Sequence, residues 1–186
     1  MDSASSGERT PINANQLAIE PFLETRNVQS FDCGNKALND FLCTKEVGEY
    51  EAEGLGKTYL VYFRGDLVAY FTVSFDGLRV QYLQKVKSFT KFAKMRIETI
   101  PALKIGRLAV DRRFQRRKIG EKLLKYIAGM ALDMGKRTGV RLLILQAKPD
   151  SIEFYEECGF QLAFETHSEK KRTNKTMFLD LLAVPD

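Results

Sequence analysis

The stretch VDRRFQRRKIGEKLL, residues 110–124, decides the fold because it joins a strand to a helix through a strongly basic turn. The apolar run KIGRLAV before it predicts the strand, and apolar residues spaced three or four apart from Gly120 to about Thr138 predict the helix. A helix N-terminus presents unpaired N–H groups and a partial positive charge, which favours an anion. The turn therefore predicts a site for two linked phosphates. The five cations around it are Arg112, Arg113, Arg116, Arg117 and Lys118.

The phosphates do not belong to the commonest nucleotide sites, since the chain contains neither GxxxxGK[ST] nor GxGxxG after a strand. Charge is concentrated around the loop: residues 85–118 hold twelve basic and two acidic side chains, in a chain whose net charge is +5. Without the loop, residues 85–110 still carry a net charge of +6. This segment predicts a surface for an anionic partner, with a solvated basic face as the alternative.

Composition sets the class of protein. With 186 residues, 44% of them hydrophobic and 28% charged, the chain predicts one globular domain over residues 17–186 after a disordered tail over residues 1–16. No apolar run approaches the roughly 20 residues of a membrane span, and the polar start predicts no secretory signal. Three cysteines and a single histidine argue for a cytoplasmic location and against a metal site or a Ser-His triad.

The remaining pattern predicts alternating strands and helices without an internal repeat. Asn35 is expected to cap a helix that buries Leu38, Phe41 and Leu42. Gly159 is expected to end a short helix. The other predicted elements are a strand over 17–22, a helix over 45–54, a hairpin over 57–74, a basic helix or loop over 85–96, a buried strand over 141–147, and strands over 160–166 and 176–182.

Two motifs carry a resemblance to a family. LAVDRRFQRRKIGEKLL resembles the acetyl-coenzyme A loop of the GNAT acetyltransferases, [Q/R]-x-x-G-x-[G/A], with Gln115 at its first position and Gly120 at its last. Lys118 stands where the family has its middle glycine. QAKPDSIEFYEECGF is similar to the family's second motif, a strand followed by a short helix. The resemblance implies an α/β (α+β) fold: a twisted, mixed, mostly antiparallel sheet of six to seven strands, splayed near the cofactor loop and flanked by about four helices.

The resemblance also implies roles for individual residues. Tyr155 would protonate the departing thiolate, which a phenol of pKa near 10 can do at neutral pH. Its alternative role is packing with Phe154 and Phe160. Cys158, Cys33 and Cys43 are expected to be structural. No metal is implied. The residues expected to bind acetyl-CoA are Leu108, Ala109, Val110, Gln115, Arg116, Arg117, Lys118, Ile119, Gly120 and Ser151.

The resemblance further implies that the acceptor is a primary amine that attacks the thioester directly in a ternary complex. FDCGNKALNDFL and IPALKIGRLAVD resemble a bacterial GNAT subgroup that includes toxins acetylating the α-amine of aminoacyl-tRNA. That resemblance implies tRNA and a small DNA-binding antitoxin as partners, no membrane, and a homodimer as one assembly. Phe89 and Phe92 would then either stack on bases or pack in the core. The alternatives are a small amine, peptide or protein acceptor, and binding of coenzyme A or nucleic acid without catalysis.

Overall fold

A computed structural model describes residues 10–83, 86–163 and 173–183 of the chain. Its contacts divide the chain into two compact units. The first unit comprises Met1–Thr72 and Arg107–Leu123, and the second comprises Val73–Gly106 and Leu124–Asp186. The prediction of a single domain over residues 17–186 stays a prediction. In the described part of the chain, no helix is both long and apolar enough to cross a membrane.

Seven strands and five α-helices make up the described part of the chain. The strands are β1 (Leu17–Pro21), β2 (Lys57–Phe63), β3 (Asp66–Arg79), β4 (Thr99–Val110), β5 (Leu142–Ala147), β6 (Gln161–Leu162) and β7 (Lys175–Asp180). The helices are α1 (Lys36–Cys43), α2 (Glu46–Ala52), α3 (Thr90–Lys94), α4 (Ile119–Thr138) and α5 (Ile152–Glu157).

The strands form one mixed sheet in the order β1-β2-β3-β4-β5-β7-β6. β1 runs antiparallel to β2, and β7 runs antiparallel to both β5 and β6. β4 and β5 are parallel and paired from Ala102↔Leu142 to Ile105↔Leu145. Both strands continue beyond this pairing, β4 to Val110 and β5 to Ala147. The predicted fold class is confirmed, with five helices instead of about four.

Local chemistry explains where several elements begin and end. The Asn35 side chain accepts a hydrogen bond from the N–H of Leu38 (3.2 Å), so α1 begins at the predicted cap. Arg64 and Gly65 both have positive φ (52° and 88°), the conformation of a tight hairpin turn, whereas the sequence predicts the turn at Gly65 and Asp66. Gly159 has φ of 89° and directly follows the last turn of α5, as predicted.

Each unit has its own apolar core. In the first unit Phe41, Leu42 and Tyr70 are almost fully buried, and α1 supplies the first two, as its sequence predicted. In the second unit Phe89 is fully buried, and Phe92 packs against the same cluster. The interpretation that Phe89 stacks on bases is therefore wrong, whereas Phe92 is half-buried at the edge of the cluster. The basic segment around α3 turns its aromatic rings inward because they can bury more apolar area there.

The N-terminal prediction also needs correction. The prediction of a disordered tail over residues 1–16 is wrong for residues 10–16, because Ile12 is only 1% exposed and Ala14–Gln16 form a 3-10 turn. Residues 1–9 lie outside the described part of the chain. Near the other end, β6 is only two residues long, and most of the predicted polar loop 167–175 lies outside the described residues.

Candidate active site

The loop between β4 and α4 has an unusual backbone. A 3-10 turn covers Arg112–Phe114, and Gln115 is extended. Arg116 and Lys118 then adopt left-handed conformations, with φ of 61° and 58°. Left-handed residues within a turn can aim successive N–H groups at one point, which is how proteins build concave anion sites. The N-terminus of the 20-residue α4 adds its partial positive charge to the same place.

Lys118 stands where the family pattern has glycine, and its backbone has the conformation that glycine favours. Its φ of 58° is a backbone conformation that glycine adopts without strain and other residues rarely adopt. The loop therefore has a glycine-like backbone at this position although the residue is lysine. Lysine in this conformation lowers the stability of the fold compared with glycine, but it also places a cationic side chain at the loop.

A buried carboxylate anchors the start of the loop. Asp111 is 1% exposed and accepts hydrogen bonds from the Arg113 guanidinium (Nε 2.9 Å, Nη2 3.1 Å), from the Arg113 N–H (2.9 Å) and from the Asp32 N–H (3.2 Å). Burial alone would raise the pKa of Asp111, but these hydrogen bonds outweigh it and hold the pKa below its usual value. Asp111 is therefore ionised at neutral pH, and it fixes the direction in which the chain leaves β4.

The turn before α1 forms the second anchor of the loop. The N–H of Arg112 donates to the Asp32 carbonyl (2.8 Å), and the Gln115 side chain donates to the carbonyls of Cys33 (3.0 Å) and Val110 (2.9 Å). The Asp32 carboxylate accepts from the Gly34 N–H (2.8 Å), the main cause of its lowered pKa. Segments about 80 residues apart in the sequence are thus joined at this loop.

The cations around the loop divide into two groups. Arg113 pairs with Asp111, Arg112 lies 3.4 Å from Asp32, and the Arg117 side chain donates to the Thr10 carbonyl (3.0 Å). The exposed side chains of Arg116 and Lys118 make no hydrogen bond or ion pair with any described residue. Arg116 and Lys118 are therefore the two of the five predicted cations that are available to contact an anion. The other three stabilise the shape of the loop through their own contacts.

Several residues expected to bind the cofactor lie in or beside this loop. Ala109 and Ile119 are buried, at 4% and 2% exposure, whereas Leu108, Val110 and Gly120 are half-buried. The backbone of β4 therefore leads directly into the basic turn. Asp32 and Asp111 were not predicted as site residues. Each accepts hydrogen bonds from a residue two positions on, but the hydrogen bond that joins their two turns spans 79 residues and leaves no signal in the sequence.

Tyr155 and Ser151 belong to the second unit. The ring of Tyr155 on α5 is packed edge-on against Phe154 (5.1 Å between centroids) and Phe160 (5.8 Å). Burial raises the pKa of the Tyr155 hydroxyl, so it stays protonated at neutral pH and can donate a proton. Ser151 precedes α5, and its side chain makes no capping hydrogen bond. The packing role of Tyr155 and the proton-donating role are compatible, because the ring packs while the hydroxyl keeps its proton.

The thiols of Cys33 and Cys43 are not activated as nucleophiles. Burial raises the pKa of the Cys33 and Cys43 thiols, which disfavours the nucleophilic thiolate at neutral pH. The backbone N–H of Cys158 caps α5 by donating to the carbonyls of Phe154 and Tyr155. Within residues 10–83, 86–163 and 173–183, no three His, Cys, Asp or Glu side chains are grouped to hold a metal ion.

Comparison with known proteins matches this arrangement to a family. The sequence pattern of the acetyltransferase (GNAT) domain matches residues 56–162. A tRNA-acetylating toxin of Mycobacterium tuberculosis (strain ATCC 25618 / H37Rv) is 22% identical over 138 residues, covering 74% of this chain and 80% of the toxin.

Two solved structures share the fold. AtaT complexed with acetyl-methionyl-tRNAfMet has a TM-score of 0.75 and 23% identity, covering 90% of this chain and 96% of AtaT. A tyrosine-to-phenylalanine variant of the toxin AtaT, bound to the C-terminus of the antitoxin AtaR and acetyl-CoA, has a TM-score of 0.69 and 21% identity, covering 90% and 95%. The domain pattern spans more than half of the chain and includes β4, the basic loop and α5, and the chain belongs to the GNAT acetyltransferases.

Proposed function

We propose that this acetyltransferase moves the acetyl group of acetyl-CoA to the α-amine of an aminoacyl-tRNA. The observation that carries the donor half of this proposal is the left-handed backbone at Arg116 and Lys118, which opens the N-terminus of α4 to a diphosphate. The acceptor half rests on the similarity to a tRNA-acetylating toxin and on the positive charge of residues 85–118.

The donor is held at three places in this proposal. The backbone N–H groups from Gln115 to Gly120 bind the diphosphate, with Lys118 and Arg116 contributing charge. The backbone of Leu108, Ala109 and Val110 hydrogen-bonds the pantetheine arm, and one N–H there polarises the thioester carbonyl. A hydrogen-bond donor in this position lowers the activation free energy of acetyl transfer by a few kcal/mol. Ser151 contacts the same arm, and Arg117 and Ile119 complete the loop.

The chemical step is a direct attack. The amine nitrogen forms a bond to the acetyl carbonyl carbon, the carbon–sulfur bond breaks, and the nitrogen loses a proton to water. An α-amine has a pKa near 8, so a useful fraction is already neutral at physiological pH. Tyr155 donates its proton to the departing thiolate, whose conjugate thiol has a pKa of roughly 8–9, and the resulting phenolate takes up a proton from water before the next turnover. The raised pKa of Tyr155 keeps that proton in place below about pH 10.

The biological setting follows from the same similarity. A tRNA acceptor implies a cytoplasmic protein, and a toxin of this kind implies an antitoxin, as the complex of AtaT with the C-terminus of AtaR illustrates. We propose a small DNA-binding protein as that antitoxin. The protein itself acts as a single catalytic domain, either alone or as a homodimer.

Thiol release measures the reaction directly. The wild-type protein should release free coenzyme A when given acetyl-CoA and aminoacyl-tRNA, and Tyr155→Phe should lower kcat by about 10²- to 10³-fold. Expression should arrest growth, and Tyr155→Phe should relieve the arrest. Free thiol from polyamines or peptides, with none from aminoacyl-tRNA, would refute the tRNA acceptor. Binding of acetyl-CoA without thiol release from any amine would indicate a non-catalytic protein.

A further inference from the structure

The N-terminal segment makes a specific contact with the cofactor loop. The Arg117 Nε donates to the Thr10 carbonyl (3.0 Å), and the N–H of Ile12 donates to the Arg117 carbonyl (3.2 Å). One loop residue is therefore bound through both its side chain and its backbone. These partners are separated by more than 100 residues in sequence, so local chain connectivity does not impose the contact.

Ile12 anchors this segment. It is 1% exposed, whereas its neighbours Thr10, Pro11 and Asn13 are exposed. A single buried apolar side chain flanked by exposed residues is the arrangement of an anchor rather than of a core element. The three residues Thr10–Ile12 are called the N-terminal strap below.

The strap contacts the loop at Arg117, between its two left-handed residues. Arg117 lies between Arg116 and Lys118, the two residues in left-handed conformations. Such conformations persist only where surrounding contacts enforce them, because an isolated chain relaxes out of them. The Arg117 guanidinium also lies over the rings of Phe63 (5.4 Å) and Phe114 (5.8 Å), which fixes it from the other side.

We infer that the N-terminal strap is a positioning element for acetyl-CoA binding, and that Ile12 is its critical residue. The inference rests on the proposed role of the loop as the diphosphate site. When the strap is bound, Arg117 is fixed and the flanking N–H groups stay aimed at the diphosphate. When it is released, the loop relaxes, and part of the binding free energy must be used to restore its shape.

The test compares two acetyl donors, one with and one without the diphosphate, and uses the 186-residue chain. Ile12→Ala should raise the KM for acetyl-CoA by about 5- to 30-fold, the factor for re-forming one of the two left-handed residues at about 1–2 kcal/mol, with kcat within about twofold. S-acetyl-pantetheine lacks the diphosphate, so its kcat/KM should not change. Ile12→Val, which keeps most of the anchor, should restore acetyl-CoA binding.

Val47→Ala is the matched control. Val47 is 2% exposed in α2 of the same unit, and removing its methyl groups lowers stability without touching the strap. It should leave the KM for acetyl-CoA within twofold. If Ile12→Ala does not fold, Ile12→Thr, which keeps the β-branched shape of the side chain, serves in its place.

Two results would overturn the inference. One is an acetyl-CoA KM within twofold of wild type in the folded Ile12 variant, and the other is an equal loss with both donors. If the wild-type protein itself used acetyl-CoA and S-acetyl-pantetheine equally well, the proposed diphosphate site would fail, and the strap's role would fail with it.

Discussion

Replacing Lys118 by glycine should change stability and acetyl-CoA affinity in opposite directions. A non-glycine residue in the left-handed region costs roughly 1–2 kcal/mol. The extra freedom of glycine in the unfolded chain cancels about 0.5–1 kcal/mol of the relief. Lys118→Gly should therefore stabilise the fold by about 0.5–1 kcal/mol. For a chain of this size, that raises the Tm by about 1–4 °C in thermal denaturation.

The same substitution removes a charge from the diphosphate site. A unit charge about 4 Å from a phosphate in water is worth about 1 kcal/mol, or roughly a fivefold change in an equilibrium constant. The Kd for acetyl-CoA measured by calorimetry should therefore rise about fivefold. At about 1 M salt the Debye length falls to about 3 Å, so the difference from wild type should shrink.

Two companion variants separate strain from charge. Lys118→Ala loses the charge but keeps a side chain in the left-handed conformation, so it should bind acetyl-CoA weakly without the gain in Tm. Lys118→Arg keeps both and should resemble the wild type. If Lys118→Gly bound acetyl-CoA as tightly as the wild type, the lysine would have no part in the site. A lower Tm for this variant would refute the argument from backbone strain.

Two further substitutions test the anchors of the loop. Asp111→Asn removes the buried charge that pairs with the Arg113 guanidinium and should lower Tm by about 4–12 °C, from about 2–3 kcal/mol. Because the pKa of Asp111 lies below its ordinary 3.8, its stabilisation is present at neutral pH and lost on acidification. The deficit of the variant should therefore shrink below about pH 4, and a pH-independent deficit would contradict this. Gly34→Ala should lower Tm more than Gly54→Ala. Both glycines have positive φ (86° and 67°), but only a Cβ on Gly34 would meet the Arg112 Nε, at 2.6 Å, and so move that exposed side chain away from Asp32, 3.4 Å from it. Equal losses would show that this contact does not matter.

The sequence predicted elements whose signals are local. Asn35 caps α1 through an atom three residues away, and Gly159 ends α5 because its own φ is positive. The apolar residues spaced three or four apart after the basic turn predict a long helix, and α4 covers Ile119–Thr138. In each case the residue type and its nearest neighbours determine the backbone.

The features that sequence reasoning missed depend on distant partners. Asp111 accepts a hydrogen bond from the N–H of Asp32, 79 residues away, and the N–H of Ile12 donates to the Arg117 carbonyl. The sequence around each residue does not reveal that partner, and a polar, Ser-rich start is typical of a disordered tail even when one isoleucine in it is buried. Phe89 was ambiguous because a short amphipathic stretch rich in lysine suits both a binding surface and the edge of a core.

A crystal structure with acetyl-CoA bound is the most direct test of the central claim. We expect diphosphate oxygens about 3 Å from backbone N–H groups between Gln115 and Gly120, the thioester along the end of β4, and Lys118 still left-handed. A diphosphate bound elsewhere on the molecule, or a loop whose N–H groups are turned away from it, would contradict the account.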